Sequence, residues 1–148
     1  MTDISELKKL YDEYKDAVWK EQESRTFTDG LNSIIQSKKD MALEDSFTEK
    51  ITDLAEVMTQ EVAESGDSGR AKEILSFVYA GQSGCRDMST EYFMFSSVHG
   101  LFEDMIDCLS REDAAELAAK YAEDIPARKR FPVNKKVLKH LKRRAAGK

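Results

Sequence analysis

Residues 89–109, STEYFMFSSVHGLFEDMIDCL, form the most apolar stretch of the chain. Its large apolar side chains are Tyr92, Phe93, Met94, Phe95, Val98, Leu101, Phe102, Met105, Ile106 and Leu109. The recurring steps of three and four residues have the period of an α-helix, and the apolar face is wide. A helix with so wide an apolar face packs that face against the core. The stretch therefore predicts a central core helix over about residues 89–109.

The segments around this stretch have the same period. Residues 4–18 and 71–79 each place their apolar side chains on one helical face. These side chains are Ile4, Leu7, Tyr11, Tyr14 and Val18 in the first segment, and Ala71, Ile74, Leu75, Val78 and Tyr79 in the second. No segment alternates apolar and polar residues four or more times between hairpin turns, so no strand is predicted. The chain of 148 residues is predicted to be all-α, a single-domain helical bundle of about six or seven helices.

Capping and turn residues predict where several helices begin and end. The segment that starts at Phe27 is echoed 20 residues later, and we interpret both copies as helix starts. Ser46 and Glu49 have the spacing of a capping box, which predicts a helix from there to about Glu64. The sequence SGDSG at residues 65–69 then predicts a turn.

The last third of the chain has its own boundary signals. Ser110 is a predicted helix cap, and the alanine-rich segment after it has high helix propensity as far as Pro126. Pro132 can occupy the first turn of a last helix, where its missing N–H has no cost. On that helix the apolar residues fall within one arc of about 140°. They are Val133, Val137, Leu138 and Leu141.

Charge is distributed very unevenly along the chain. The sequence has 23 basic and 28 acidic residues, a net charge of −5, and ten of the basic residues follow Ala127 with no acidic residue among them. Residues 1–126 therefore hold 13 basic and all 28 acidic residues, a balance of −15. This pattern predicts two parts within one domain: an acidic helical body over residues 1–126, and a basic loop with a C-terminal amphipathic helix over residues 127–148.

A basic stripe of this kind is the electrostatic footprint of a polyanion site. The candidate nucleic-acid-binding residues are Arg128, Lys129, Arg130, Lys135, Lys136, Lys139, Lys142 and Arg143. Each of them can neutralise a phosphate and release a condensed counterion, which drives binding without regard to sequence. We therefore predict a non-enzymatic helical binding protein whose basic segment contacts nucleic acid or another polyanion. Its body would bind a protein partner or a second copy of the chain.

An alternative prediction assigns the basic helix to the chain's own acidic residues. Residues 103–124 carry Glu103, Asp104, Asp107, Glu112, Asp113, Glu116, Glu123 and Asp124. If the basic helix docks beside them, its charge is neutralised internally. The protein would then be an acidic interaction or inhibitor module that imitates nucleic acid and acts on a basic partner.

Catalysis and metal binding have little support in the sequence. His99 and Glu103 are one helical turn apart, a spacing that suits two metal ligands, but they are a single pair. We expect His99 to bond to a neighbour at the edge of an apolar face. The chain has neither a GxxxxGK[ST] loop nor a GxGxxG sequence after a strand. We predict no enzyme activity, no metal and no cofactor.

The remaining features concern cellular location. The chain begins with MTDISELKK, which is polar and acidic where a signal peptide has a basic end and an apolar segment. No apolar run approaches the roughly 18 residues of a membrane span. Cys85 and Cys108 lack CxxC spacing, which argues against a zinc site or a disulfide framework. We predict a cytoplasmic protein with reduced cysteines and no contact with a membrane.

Overall fold

The computed structural model describes residues 3–23, 29–79, 97–123 and 134–147, with side chains for residues 3–21, 41–79, 97–121 and 134–147. These residues form seven helices and no strand, which confirms the predicted all-α helical bundle. The helices are α1 (Ile4–Glu23), α2 (Asp29–Ser65), α3 (Ser68–Tyr79), α4 (Val98–Leu101), a 3₁₀ helix (Glu103–Cys108), α5 (Arg111–Glu123) and α6 (Lys135–Ala145). Among the described helices, none combines the length and the apolar character needed to cross a membrane.

Residue contacts divide the chain into two compact units, an N-terminal unit of residues 2–54 and a C-terminal unit of residues 55–148. The boundary falls inside α2, and α6 belongs to the C-terminal unit. The division predicted from charge, between residues 126 and 127, lies outside the described residues.

The N-terminal unit is built on aromatic contacts between α1 and α2. The ring of Phe47 stacks on that of Tyr14 at a centroid distance of 4.6 Å and meets that of Tyr11 edge-on at 5.7 Å. The predicted apolar seam of α1 is buried at Leu7, Tyr11, Tyr14 and Val18. Burying aromatic side chains removes a large apolar area from water, and that burial stabilises the pairing of the two helices.

Helix α2 is continuous over 37 residues, so the predicted second helix start at Ser46 is wrong. Ser46 and Glu49 lie within the helix, although their spacing matches a capping box. Residues 31–64 contain neither glycine nor proline, and helix formers such as Met41, Ala42 and Leu43 precede the candidate cap. Because nothing interrupts the helix before Ser46, the backbone there already has intrahelical partners.

The predicted turn after α2 is confirmed. Gly66 has a φ of +66°, a left-handed conformation that glycine adopts without steric cost, and its N–H donates to the carbonyl of Val62 over 2.9 Å. Asp67 then starts α3, because its Oδ1 accepts the N–H of Arg70 over 3.0 Å. The predicted stripe of α3, from Ala71 to Tyr79, is buried throughout.

The core of the C-terminal unit contains the described part of the apolar stretch of residues 89–109. Val98, Phe102, Met105, Ile106 and Leu109 are all fully buried. The predicted single helix is nevertheless wrong over residues 97–109, where α4 is followed by the 3₁₀ helix.

The helix is interrupted near Gly100, a residue of low helix propensity. Beyond it the backbone N–H of Met105 donates to the carbonyl of Phe102 over 3.1 Å, three residues back rather than four. Residues 89–96 of the predicted helix lie outside the described residues.

Ser110 caps α5 as predicted, since its Oγ accepts the N–H of Asp113 over 3.1 Å. A second serine joins α3 to this cap. The hydroxyl of Ser68 accepts the N–H of Ser110 over 2.7 Å and donates to the carboxylate of Asp113 over 2.5 Å. Helices α3 and α5 are thereby linked at their N-termini, and α5 carries the buried residues that support α6.

Replacing Phe102 with alanine is expected to lower the free energy of unfolding by about 3–5 kcal/mol, because it removes a fully buried ring and leaves a cavity. Urea denaturation would measure the change. Val57→Ala is the control in the same unit, since Val57 is 47 % exposed and its truncation should change stability by at most about 0.5 kcal/mol. A similar, small effect of both substitutions would contradict the placement of the core.

Candidate functional site

The C-terminal helix α6 carries five of the eight predicted binding residues, and Asn134 determines where it begins. The Oδ1 of Asn134 accepts the N–H of Val137 over 3.2 Å, so Asn134 is the N-cap. The prediction that Pro132 occupies the first turn is therefore wrong, because the helix begins at Lys135. Pro132 itself lies outside the described residues.

Two buried side chains hold α6 on α5 and the 3₁₀ helix. Val137 and Leu141 are fully buried and lie four residues apart, on one side of the helix. Leu138, the third described member of the predicted apolar arc, is only half-buried. The buried pair fixes which residues of α6 face the protein and which face water.

A hydrogen-bonded cluster anchors the N-terminus of α6. The backbone N–H of Asn134 donates to the hydroxyl of Tyr121 over 3.2 Å, and the Nδ1 of His99 lies 2.9 Å from the same hydroxyl. Both rings are buried, and Tyr79 meets Tyr121 edge-on at 4.9 Å. This cluster connects α3, α4, α5 and the start of α6.

One flank of α6 faces carboxylates of the 3₁₀ helix. The Nδ1 of His140 lies 3.1 Å from Glu103 and its Nε2 lies 2.7 Å from Asp107, while Lys136 lies 3.6 Å from Glu103. One turn further on, the guanidinium of Arg144 donates to the carbonyl of Leu109 over 2.7 Å. Lys136, His140 and Arg144 are spaced four residues apart and thus form one stripe along the helix.

The other flank of α6 is an exposed cationic surface, which we define as Lys135, Lys139, Lys142 and Arg143. Together with Leu138 and Ala146, these residues line an open hollow of about 460 Å³. Within the part of the chain that the structure describes, none of the four forms an ion pair. The cationic surface therefore presents four positive charges to solvent on one rigid helix.

The predicted binding residues divide into three groups. Four form the cationic surface, and Lys136 stands at its margin, paired with Glu103 although its side chain is 83 % exposed. Arg128, Lys129 and Arg130 lie outside the described residues.

The inward-facing role of His140 was missed by sequence reasoning. The basic residues at 136, 140 and 144 repeat every four positions, and that repeat is the signal that could have revealed it.

Among the described acidic side chains of residues 103–124, those that pair with α6 come from the start of the stretch. Glu103 and Asp107 face α6, whereas Glu116 pairs with Lys72 and Lys120, and Asp113 lies 3.8 Å from Lys72. The hydrogen bond from Lys72 lowers the pKa of Glu116 below its ordinary value. Ion pairs with the 3₁₀ helix are thus present along one flank of α6, and the described carboxylates form none with the cationic surface.

His99 and Glu103, the pair with metal-ligand spacing, have separate partners. His99 is fully buried against Tyr121, as a histidine bonded to a neighbour, while Glu103 faces His140 and Lys136. Among the described residues no group of three or more His, Cys, Asp or Glu side chains could hold a metal ion.

The cysteines give no sign of a reactive thiol in the described chain. Burial, with Asp107 nearby, raises the pKa of the Cys108 thiol, which disfavours the nucleophilic thiolate. Cys85 lies outside the described residues.

No protein-family model matches the chain, and neither a curated protein nor a solved structure shows significant similarity to it. What the chain can bind must therefore be inferred from the geometry of α6 and its surroundings. In that geometry, the cationic surface is a feature that a ligand could use.

Replacing Tyr121 with phenylalanine is expected to lower the free energy of unfolding by about 1–3 kcal/mol, because the N–H of Asn134 and the ring of His99 lose a shared partner. Tyr79→Phe is the matched control in the same cluster. The Tyr79 hydroxyl is buried and has no hydrogen-bond partner among the described residues, so its removal should be neutral or stabilising. Equal losses for both variants in urea denaturation would show that the anchor at Asn134 is unimportant.

Proposed function

We propose that the protein is a non-enzymatic binding protein that uses the cationic surface of α6 to bind nucleic acid. The observation that carries the proposal is the exposure of Lys135, Lys139, Lys142 and Arg143 on one flank, without an ion pair to any described residue. Exposed cations that lack carboxylate partners are available to phosphates, and each contact releases counterions from the nucleic acid.

The dimensions of the cationic surface support contact with several phosphates at once. From Lys135 to Arg143 the helix rises by about 12 Å, at 1.5 Å per residue. Duplex DNA carries one negative charge per about 1.7 Å of its axis, so this length faces several phosphates. Contacts to phosphates position a protein and carry no sequence information, and we therefore expect little sequence preference.

The anchoring of α6 supports the same proposal. Val137 and Leu141 are buried, and the start of the helix is bonded to Tyr121, so the four cations are attached to a fixed scaffold. A pre-organised surface loses less conformational entropy on binding than a disordered tail does. Half-buried Leu138 adds a small apolar contact at the edge of the hollow.

The second candidate function is that of an acidic interaction module whose basic end is neutralised internally. Its supporting observation is that Glu103 and Asp107 face Lys136 and His140. It would require similar partners for the cationic surface, and the described residues provide none. Under this alternative the protein would not be retained by a polyanion.

The proposal predicts salt-dependent binding to a short labelled duplex, measured by fluorescence anisotropy. If all four cations reach phosphates, log K should fall against log salt with a slope of about −3.6. The triple variant K135Q/K139Q/K142Q should bind all sequences more weakly. It should also reduce the magnitude of the slope by about 0.9 for each phosphate that the variant no longer neutralises.

The control is K9Q/K20Q/K50Q, which removes the same charge from exposed positions on α1 and α2. It should leave the salt slope unchanged, since none of these lysines belongs to the cationic surface. Heparin should compete with the duplex for the wild-type protein. An absence of binding at about 50 mM salt, or equal effects of the two triple variants, would contradict the proposal.

A further inference from the structure

His140 lies between two carboxylates, and its protonation state determines how many of them it can donate a hydrogen bond to. Its Nδ1 lies 3.1 Å from an oxygen of Glu103, and its Nε2 lies 2.7 Å from an oxygen of Asp107. An ionised carboxylate only accepts hydrogen bonds, and a neutral imidazole has a single N–H to donate. The imidazolium, with an N–H on both nitrogens, is the form that bonds to both carboxylates at once.

We propose that His140 is a proton-operated latch. In its charged form it fastens α6 to the 3₁₀ helix, and its protonation state thereby regulates the affinity of the cationic surface for a polyanion. Loss of the proton breaks one of the two hydrogen bonds and removes the charge that both carboxylates face. The latch itself follows from the geometry of His140, whereas its effect on ligand binding rests on the proposed function.

The charged groups around His140 come from three directions. The 3₁₀ helix supplies Glu103 and Asp107 directly, and Asp104 and Cys108 belong to the same helix. Lys136 and Arg144 lie one turn away on α6 itself. His99 of α4 and Tyr121 of α5 bond to each other, and Tyr121 also bonds to Asn134. Asn134 precedes His140 by six residues, or about 9 Å along the helix. At the other end, the guanidinium of Arg111 lies beside Gly147.

The electrostatics agree with this geometry. Partial burial lowers the pKa of His140, but the hydrogen bonds and charges of Asp107 and Glu103 outweigh it and raise the pKa above its ordinary value. A group whose pKa is raised in the folded state stabilises the fold fully below its unfolded pKa of about 6.5. That stabilisation is lost as pH rises through the higher folded pKa. The latch is therefore closed in mildly acidic solution and opens as pH rises.

Opening the latch changes the charge next to the cationic surface. With neutral His140, Glu103 keeps an ion pair with Lys136, and Asp107 has no ion pair with another described residue. Their field then acts on a polyanion that approaches the neighbouring Lys139 and Arg143. Duplex affinity should fall by about two- to fivefold between pH 6 and pH 8, the effect expected of one partly exposed ion pair.

The first test is an NMR titration of the histidine rings in the full chain, which has only two histidines. The signal that disappears in H140Q should titrate above pH 6.5, and D107N should shift it towards lower pH. A His140 that titrates at or below about pH 6.5, and is insensitive to D107N, would overturn the latch.

The second test compares unfolding in urea at pH 6 and pH 8 for the wild type, H140Q and H140K. Between these pH values the wild-type equilibrium constant for folding should fall by about two- to fivefold more than that of either variant. Gln is neutral and Lys is charged across the range, and the contribution of His99 is common to all three proteins. The same pH dependence in all three would also overturn the latch.

The third test separates this inference from the proposed function. Duplex affinity should fall between pH 6 and pH 8 in the wild type and should stay nearly constant between these pH values in H140K. A wild type that binds equally at both pH values would refute the regulation. If no duplex binds at either pH, the proposed function fails and the regulation fails with it, while NMR and urea still decide whether the latch exists.

Discussion

Burial of Val137 and Leu141 fixes the rotation of α6 about its own axis. Once these two side chains occupy the core, the 100° between successive residues determines the environment of every other position on the helix. Lys136, His140 and Arg144 turn towards the 3₁₀ helix, and the cationic surface turns towards water. A rotation of one residue would bring either Lys136 and His140 or Leu138 and Lys142 to the buried positions. The apolar pair therefore decides which charges are neutralised and which remain available.

The ion pairs on the inward flank contribute less to stability than the apolar pair. Lys136 is 83 % exposed and Asp107 is 68 % exposed, and surface pairs of this kind contribute under about 1 kcal/mol each. Full burial of one Val or Leu side chain contributes about 1.5–3 kcal/mol. Burial of the apolar pair thus determines the position of α6, and the ion pairs of the inward flank make a smaller change in how strongly the helix is held. Weak, partly solvated contacts of this type suit a regulatory role, because a single proton can change them.

The extent to which the sequence predicts this structure varies with the range of the interaction. Local periodicity identifies the seam of α1 and the stripe of α3 correctly, because burial repeats with the helical period. The capping-box spacing of Ser46 and Glu49 misleads, since it indicates a helix start only where the chain is not already helical. The apolar residues from Val98 to Leu109 keep the helical period across Gly100, so periodicity alone predicts one helix and does not register the interruption at this residue of low helix propensity.

For the candidate site, the helical wheel separates the lysines of α6 from its apolar arc, but it cannot identify partners distant in sequence. His140 and Asp107 are 33 positions apart, and only the fold brings them together. The same limit applies to the anchor at Asn134, whose partner Tyr121 belongs to another helix. Sequence alone therefore indicates that the end of the chain is cationic, and the structure shows which of its described charges are already in use.

The charge balance of the C-terminal unit bears on how a polyanion would approach it. Residues 55–148 contain 15 acidic and 15 basic residues, so the excess negative charge of the chain resides in residues 1–54. A unit without net charge exerts little long-range repulsion, and fields are screened beyond about 10 Å at 0.1 M salt. Whether a polyanion can bind then depends on how positive and negative side chains are separated locally. Because Glu116 and Asp113 are engaged by Lys72, and Glu103 and Asp107 by the inward flank of α6, those carboxylates do not cancel the cationic surface.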